Sequence, residues 1–175
     1  RALERGITSG PNGLPLIGAH DWNDGLNEVG AGGKGESIWL GWFLYAACVQ
    51  FATLCRKKEK NERSSQFLEE AEKLRSALET HGWDRQWYLR AFFDDGSPLG
   101  SEQNQECQID SIAQSWAVLS NGADPERARQ AMRSVEERLV SWDHQLIQLF
   151  DPPFDQSKLF PGYIQGYPPG VRENG

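Results

Sequence analysis

Two apolar helix patterns, each followed by an amphipathic one, constrain the fold of this 175-residue chain more than any other feature. The stretch 38–54 is apolar on nearly every side, which predicts a helix that is buried on every face. The stretch 64–81 carries apolar residues on one face and charges between them, which predicts a surface helix that covers a core. The stretches 109–119 and 125–139 repeat this order. The sequence therefore predicts two helical hairpins, each with an inner and an outer helix.

Hairpins with one buried and one amphipathic member are typical of concentric rings of helices, an all-α barrel or toroid. A closed ring of six such hairpins needs about twice this length, at ordinary helix lengths of about 11–15 residues plus loops. The only methionine is Met132, so the chain shows no natural start. We therefore expect residues 1–175 to be a fragment of a longer polypeptide. Since the sides of the inner helices would be exposed, the isolated chain is expected to form a homo-oligomer or to aggregate.

Charge and composition exclude several kinds of partner and cofactor. The 18 basic and 25 acidic side chains give a net charge of −7, so no basic face is available and nucleic acid is not an expected partner. The longest apolar run, 38–51, is interrupted by a glycine and a glutamine and is predicted to be too short to span a bilayer. Scattered histidines and an odd number of cysteines without metal-ligand spacing predict reduced thiols and no metal or organic cofactor. These residues are His20, His81, His144, Cys48, Cys55 and Cys107.

A glycine-rich loop over residues 6–35 contains the most informative segment, Asp21-Trp22-Asn23-Asp24-Gly25. Such sets bind sugars, because an indole stacks on the apolar face of a pyranose while carboxylates and amides bind its hydroxyls. One carboxylate could also act as a general acid if desolvation against Trp22 raised its pKa. Alternatively, the segment is a turn rich in Asp and Asn that caps the loop and places Trp22 in the core. The residues alone leave both interpretations open.

Other polar segments have simpler structural explanations. The segment 33–37 is only faintly similar to a phosphate-binding loop, lacks its first glycine and follows no strand, so it is predicted to begin a helix. Asp94 and Asp95 precede a glycine and are predicted to form a turn. Glu106 and Asp110 lie four residues apart at a predicted helix start, which favours capping.

The proline-rich tail from Asp151 is predicted to be a loop, because prolines at this density prevent both a helix and a central strand. A cluster of polar and aromatic side chains lies near its end. Ligand binding and plain anchoring of the loop explain this cluster equally well. Its members are Tyr163, Tyr167, Arg172 and Glu173.

Several of these segments, in this order, resemble the catalytic region of glycoside hydrolase family 94, which contains cellobiose and chitobiose phosphorylases. The resemblance covers nearly the whole chain and begins with HDWNDGLN at residues 20–27. Residues 152–155 and 161–175 are most similar to the C-terminal phosphorylase-like region of cyclic β-1,2-glucan synthases and to β-1,2-oligoglucan phosphorylases. The remaining matching segments are 33–40, 90–96 and 106–116.

The resemblance implies an (α/α)6 barrel and inverting phosphorolysis of a β-glucosidic bond, which releases α-glucose 1-phosphate. In that mechanism a carboxylic acid protonates the glycosidic oxygen while inorganic phosphate attacks the anomeric carbon from the opposite face. Phosphate is already an anionic nucleophile, so it needs no second catalytic carboxylate. The motif assigns the acid to Asp24. The residues expected to bind the sugars are Trp22, Asp21, Tyr167, Arg172 and Glu173.

The resemblance also bears on what the chain lacks and where it works. Inorganic phosphate is the expected co-substrate, but the phosphate-binding histidine and arginine of the family would lie outside residues 1–175. The isolated chain is therefore expected to be inactive or nearly so, as a partial catalytic domain that requires the rest of its parent polypeptide. The implied parent is a cytoplasmic enzyme attached to the inner membrane.

Two other functions stay open at this point. An inverting β-glucan hydrolase on the same barrel would need a second carboxylate to activate water, and Asp95, Glu106 or Glu173 could supply it. A non-catalytic glucan-binding module could instead measure product length within a larger synthase. The presence of Asp24 speaks against this last function without excluding it.

Overall fold

The computed structural model describes residues 2–156 and 158–175, so that Arg1 and Ser157 lie outside the described residues. The described chain is mainly helical, with short strands in the connections. Two 3-10 helices, Asp24–Leu26 and Tyr163–Gly166, lie in the loops. The α-helices are α1 (Ala2–Gly6), α2 (Ile38–Lys57), α3 (Asn61–His81), α4 (Ser111–Leu119) and α5 (Pro125–Leu139).

The two predicted hairpins are present as α2–α3 and α4–α5, and α2 also packs against α4. Gly41 of α2 faces Leu78 of α3 so closely that a Cβ on Gly41 would lie 2.8 Å from Leu78 Cδ2. The missing side chain therefore sets how near the two helices approach. Ser37 caps α2 by accepting a hydrogen bond from the Leu40 N–H, and Asp124 caps α5. Two hairpins do not close a ring, and the complete barrel stays a prediction.

Two predictions about α2 are wrong. The helix is buried along the side that meets α3 and α4, but Phe43 is 43% exposed and Leu54 is 50% exposed. Because neighbouring helices cover only part of its circumference, an all-round apolar pattern does not produce all-round burial. The helix is also longer than the apolar run 38–51 suggested, and by length and composition alone its 20 residues could cross a membrane. A core helix passes the same test, and in this structure α2 packs against α3 and α4.

Among the described residues, nine two-residue strands organise the connections: β1 (Glu36–Ser37), β2 (Trp83–Asp84), β3 (Trp87–Tyr88), β4 (Ala91–Phe92), β5 (Pro98–Leu99), β6 (Ile109–Asp110), β7 (Val140–Ser141), β8 (Leu146–Ile147) and β9 (Phe150–Asp151). A three-stranded antiparallel sheet joins the start of α2 to the segment after α3, in the order β1-β4-β5. Strand β6 pairs with β9, which ties the start of α4 to the tail. The predicted helix 109–119 therefore begins only at Ser111, while the hairpin β7–β8 was not predicted.

The long loops have an apolar core of their own, separate from the core between the hairpins. Leu26 and Val29 of the first loop pack there with Ile164 of the tail. Phe150 and Phe154 complete this contact, with ring centroids 5.0 Å apart. The loop core holds the glycine-rich loop against the proline-rich tail. The three cysteines are free and buried, as predicted for reduced thiols.

Candidate active site

The glycine-rich loop is fixed at its beginning by a buried carboxylate. Glu36 is 1% exposed and accepts hydrogen bonds from the backbone N–H groups of Asn12 and Leu14, each at 3.0 Å. The Asn12 side-chain amide donates a third bond at 2.7 Å. A buried carboxylate needs such donors, so the turn at Asn12 is held firmly against β1.

A second carboxylate fixes the end of the same loop. Asp94 accepts backbone N–H bonds from Gly32, Lys34 and Gly35 at 2.6 to 2.8 Å. Desolvation acts to raise the pKa of Asp94, but these three N–H groups outweigh it and the pKa is lowered. The segment that is faintly similar to a phosphate-binding loop therefore has its N–H groups already occupied by a side chain. Asp94 belongs to a turn, as predicted, and it also anchors a distant loop.

Within the central motif, alternate side chains point inward and outward. Asp21 has a side chain that is 2% exposed, and its carboxylate accepts bonds from the Asn23 N–H and from Trp39 Nε1, each at 3.0 Å. Asn23 is also buried and caps the first 3-10 helix by accepting the Gly25 N–H at 3.1 Å. Trp22 lies between them and is 60% exposed. The expected Asp/Asn turn is therefore present, but the alternative that places Trp22 in the core is wrong.

Asp24 begins the 3-10 helix on the outward side of the motif. Its side chain is exposed, and among the described residues no protein group donates a hydrogen bond to its carboxylate. A free carboxylate beside an exposed indole is what a sugar-binding surface requires. Asp24 is thus available to a ligand, whereas Asp21 is fully engaged by protein donors.

The tail brings a second loop next to Asp24. Tyr163 donates its backbone N–H to Asn27 Oδ1 at 3.1 Å, and Glu28 donates its N–H to the Pro161 carbonyl at 3.1 Å. The two 3-10 helices therefore lie against each other. Desolvation, followed by the negative charge of Asp24, raises the pKa of Tyr163. The sequence grouped Tyr163 with the tail cluster but did not predict this proximity to Asp24.

Tyr167 and Arg172 form one unit on the tail. The Arg172 guanidinium lies over the Tyr167 ring, 5.2 Å from its centroid, and Nη1 donates to the Tyr167 hydroxyl at 3.2 Å. Tyr163 meets the same ring edge-on at 6.1 Å. Glu173 is exposed, and its charge acts on Tyr163 together with that of Asp24. Asp24 and the tail cluster thus lie close together between two loops, and Trp22 is exposed two residues before Asp24 in the first of them.

The tail loop is also firmly anchored, by a residue that sequence reasoning missed. Asn174 is completely buried and accepts the Phe154 N–H at 2.8 Å through its side-chain oxygen. Its amide nitrogen donates to the carbonyls of Phe154 and Tyr167 at 2.8 and 2.7 Å. An asparagine in a polar loop gives no signal of burial in a single sequence. The tail cluster is therefore exposed although the loop that carries it is anchored by Asn174.

Beneath the motif lies a buried ion cluster that the sequence did not reveal. Arg90 is completely buried, forms an ion pair with Asp21 through Nη2 and donates Nε to Asp110 Oδ2 at 3.2 Å. Desolvation acts to lower the pKa of Arg90, but the two carboxylates outweigh it and raise that pKa, so the guanidinium stays charged. Burial raises the pKa of Asp110, although Arg90 opposes this. Asp110 also caps α4 through the Ile112 N–H at 2.8 Å, which confirms its predicted capping role.

The other carboxylates proposed for a hydrolase lie in different surroundings. Asp95 accepts the Ser97 N–H within its own turn at 2.8 Å. Glu106 accepts N–H bonds from residues 155 and 156 and so binds the tail, instead of capping α4 as predicted. Only Glu173 shares the surface with Asp24. In residues 2–156 and 158–175, no group of three or more His, Cys, Asp or Glu residues could hold a metal ion.

The close approach of the two loops yields a testable prediction. A Cβ on Gly25 would lie 2.6 Å from Ile164 Cβ, which is closer than two carbon atoms approach without a bond. It would also lie 3.1 Å from Ile164 Cα. Gly25→Ala is therefore expected to destabilise the loop contact by about 1–3 kcal/mol and to weaken sugar binding. Gly6→Ala is the matched control, because a Cβ there meets nothing within 4 Å. Hydrogen exchange around Ile164 and sugar titration measure both effects, and equal behaviour of the two variants would contradict the prediction.

Comparison with known proteins assigns this site to a class. The profile of the Glycosyl hydrolase 94 superfamily, catalytic domain, matches residues 1–175. The chain therefore belongs to that family, as its sequence motifs indicated. A match over every residue includes both loops of the candidate site.

Individual relatives narrow the class. The chain is 49% identical over its whole length to cyclic beta-(1,2)-glucan synthase NdvB of Rhizobium meliloti, of which it covers 6%. It is 39% identical over 95% of its length to solabiose phosphorylase of Paenibacillus borealis, of which it covers 22%. The chain thus spans under a quarter of the length of either relative. The crystal structure of a family 78 rhamnosidase of Bacillus sp. GL1 matches 78% of this chain and 14% of that one, with a TM-score of 0.55 and 18% identity, which shows similarity of fold alone.

Proposed function

We propose that this chain supplies the general acid and part of the sugar-binding surface of a phosphorylase domain that acts on β-glucosidic bonds. The observation that carries the proposal is the unpartnered, exposed carboxylate of Asp24 beside exposed Trp22, opposite the tail cluster of tyrosines and Arg172. Because the chain belongs to this family, we interpret the arrangement as part of a site that cleaves a glycosidic bond. The name of the 49% identical relative favours β-1,2 linkages as the substrate.

In the proposed reaction, each group has one task. Asp24 in its acid form donates a proton to the glycosidic oxygen while the bond from that oxygen to the anomeric carbon breaks. An oxygen of inorganic phosphate forms the new bond to the anomeric carbon from the opposite face, which yields α-glucose 1-phosphate and a shortened glucan. The Asp24 carboxylate then regains a proton from solvent. Trp22 stacks on a sugar ring, while Arg172 and Glu173 bind hydroxyl groups of the neighbouring sugar.

Asp21 has a different task in this proposal from the sugar contact that the sequence suggested. Its side chain lies beneath the surface, with donors on both carboxylate oxygens. It therefore supports the Trp22–Asp24 segment from below. Groups that bind phosphate are proposed to come from other parts of the parent polypeptide, so the isolated chain would not turn over substrate. The parent is proposed to be a cytoplasmic, inner-membrane-associated enzyme that needs no metal or organic cofactor.

The test uses the natural polypeptide that contains this chain. It is incubated with β-1,2-gluco-oligosaccharides, with and without inorganic phosphate, and the products are followed by proton and phosphorus NMR. Phosphate-dependent release of α-glucose 1-phosphate is the expected result. Shortening of the oligosaccharides without phosphate would overturn phosphorolysis and favour a hydrolase. Binding of the oligosaccharide without turnover would favour a glucan-binding module.

A hydrolase is the second candidate because one specific carboxylate could serve it. Glu173 is exposed on the tail loop, and its charge acts on the same tyrosine as that of Asp24. It could therefore activate a water molecule across the surface from the acid. Glu173→Gln distinguishes the two functions. The substitution would abolish hydrolysis, whereas phosphorolysis would retain kcat and lose only substrate affinity.

Trp22 yields a prediction about substrate binding. Trp22→Ala removes an exposed indole from the surface, and the apparent affinity for a β-1,2-gluco-oligosaccharide is expected to fall about tenfold, or about 1.4 kcal/mol. Trp142→Ala is a matched control, since Trp142 is 74% exposed on the β7–β8 hairpin, outside the candidate site. Isothermal titration measures both variants. A comparable loss in both, or in neither, would show that Trp22 does not bind the sugar.

A further inference from the structure

We propose that Arg90 is a positioning residue for the acid, acting through Asp21 to hold the Trp22–Asp24 segment against the start of α4. This inference rests on the proposed function, in which Asp24 donates the proton. Arg90 does not contact the exposed surface, because its side chain is 1% exposed. Its effect on Asp24 is therefore indirect. It is transmitted by the buried carboxylate of Asp21, which bonds to the backbone N–H of Asn23.

The connection from Arg90 to Asp24 consists of short, buried contacts. Arg90 pairs with Asp21, and Asp21 accepts the Asn23 N–H at 3.0 Å. Asn23 in turn caps the 3-10 helix that begins at Asp24 by accepting the Gly25 N–H. The side chains of Arg90 and Asp21 are 1% and 2% exposed, and Asn23 is 3% exposed as a whole residue. The orientation of the Asp24 backbone thus depends on where Asp21 is held.

The second carboxylate gives this connection a fixed reference point. Asp110 is 2% exposed, caps α4 through Ile112 and binds Arg90 Nε at 3.2 Å. The guanidinium therefore joins a loop residue to an inner helix, across 69 and 20 positions of sequence respectively. Because α4 packs against both α2 and α5, it is a support that two other helices hold. A loop tied to such a support keeps its geometry.

Stability alone does not require a charge at this place. Apolar residues of similar volume often stabilise a core as well as a buried ion pair does. One nitrogen, Arg90 Nη1, is buried without a hydrogen-bond partner among the described residues. The cluster therefore does not satisfy every hydrogen-bond donor of the guanidinium. Its two used nitrogens point at two carboxylates from different elements. A planar guanidinium can make both bonds at once, whereas a lysine ammonium acts as a point charge.

The test is Arg90→Lys in the natural polypeptide that contains this chain. The charge is kept but the planar pair of donor nitrogens is lost, so the Trp22–Asp24 segment shifts while the sugar contacts of the tail cluster remain. The expected result is a fall in kcat for phosphorolysis of about 10- to 100-fold. KM should change by less than about threefold, because the lost geometry matters in the transition state. A fall in affinity at unchanged kcat would overturn the inference.

Arg127→Lys is the matched control for a purely structural effect. Arg127 donates to the Glu79 carboxylate and carbonyl, each at 2.6 Å, and lies over the Trp83 ring, away from both site loops. It is also an arginine with two acceptors, and because its side chain is 37% exposed, its replacement by lysine controls for the loss of the planar donor pair and not for burial. Its kcat is expected to stay within about twofold of the unsubstituted protein. An equal loss of kcat in both variants would mean that the effect is not specific to the Arg90 cluster and would overturn the inference.

A second measurement does not depend on turnover. Trp39 Nε1–H donates to Asp21 Oδ1 at 3.0 Å, so a fluorotryptophan label at Trp39 senses the position of Asp21 by fluorine NMR. The same label at Trp22 senses the exposed side of the loop. Both resonances, assigned by Trp→Phe substitution, are expected to shift or broaden in Arg90→Lys and to stay unchanged in Arg127→Lys. Unchanged resonances in Arg90→Lys would overturn the inference.

The two measurements separate failure of this inference from failure of the proposed function. Absence of phosphorolysis by the unsubstituted protein would refute the proposed function, and the fluorine resonances alone would then decide whether Arg90 holds the loop. Normal phosphorolysis with unchanged kcat and resonances in Arg90→Lys would refute only the positioning role.

Discussion

Asp24→Asn is expected to lower kcat for phosphorolysis of a β-1,2-gluco-oligosaccharide by about 10²–10⁴-fold, the contribution of a general acid. Asparagine has nearly the same shape as aspartic acid, but its amide does not deliver a proton to the leaving oxygen. The exposed Asp24 carboxylate has no protein hydrogen-bond donor among the described residues, so the substitution should leave the fold intact. Steady-state kinetics on the parent polypeptide measure the effect.

Two controls make this prediction specific. Glu28→Gln removes another exposed carboxylate from the same loop and is expected to leave kcat unchanged, since the Glu28 carboxylate accepts a hydrogen bond from the neighbouring Asn27 side chain at 2.8 Å. A substrate whose leaving group is a weakly basic phenolate needs little protonation, so Asp24→Asn should then lose far less activity. An equal loss with both leaving groups would mean that Asp24 is not the acid. Retention of nearly full activity with the natural oligosaccharide would exclude it as well.

Helix positions follow from the sequence because they depend on local periodicity. Apolar residues at helical spacing, with charged residues between them, place the buried face of α3 correctly, with Phe67, Leu74 and Leu78 inside. The helix starts predicted at segment 33–37 and at residue 125 are also local, and in the structure Ser37 and Asp124 cap these two helices. Burial of a whole helix is different, because it depends on how many neighbours surround it. Thus the pattern of α2 correctly predicts a helix but overestimates its burial.

The candidate site could be found from the sequence, but its geometry could not. Trp22 and Asp24 stand out as a motif, yet the sequence does not say that Asp21 and Asn23 point inward while their neighbours point outward. That alternation depends on Arg90, 69 residues away, which attracts the Asp21 carboxylate into the interior. Single-sequence reasoning has no access to such a partner.

Proximity of the two loops was hidden for the same reason. Tyr163 reaches Asn27 across 136 residues, a contact that only the tertiary fold creates. The sequence features that relate to this contact are two glycines, one in each loop. Gly25 and Gly162 both lie where a Cβ would meet backbone or side-chain atoms of the other loop at 2.6 Å or less. A glycine of this kind is uninformative until the partner loop is known, and then it shows how closely the two loops approach.

The buried cluster beneath the site gives the largest predicted effect on stability. Arg90→Met leaves the side chains of Asp21 and Asp110, which are 2% and 3% exposed, without their shared positive charge. Removing one member of a buried ion cluster costs about 3–5 kcal/mol, because the remaining charges stay desolvated. We therefore expect the free energy of local opening around the motif and the first turn of α4 to fall by about this amount at pH 7. Hydrogen exchange of the Asn23 and Ile112 N–H groups, both bonded to these carboxylates, measures it.

The pH dependence of this loss has a definite sign. Burial raises the pKa of Asp110 in the folded protein, so its contribution to stability is greatest below its ordinary pKa and is lost as the pH rises through the raised value. In Arg90→Met the opposing effect of the guanidinium is gone and that pKa rises further. Protonation at acidic pH then removes much of the uncompensated charge, so the destabilisation relative to the unsubstituted protein should shrink from pH 7 towards pH 4. Arg90→Met combined with Asp110→Asn should show the same relief at pH 7, and a loss of stability that is independent of pH and of Asp110 would mean that lost packing, and not lost charge, destabilises the variant.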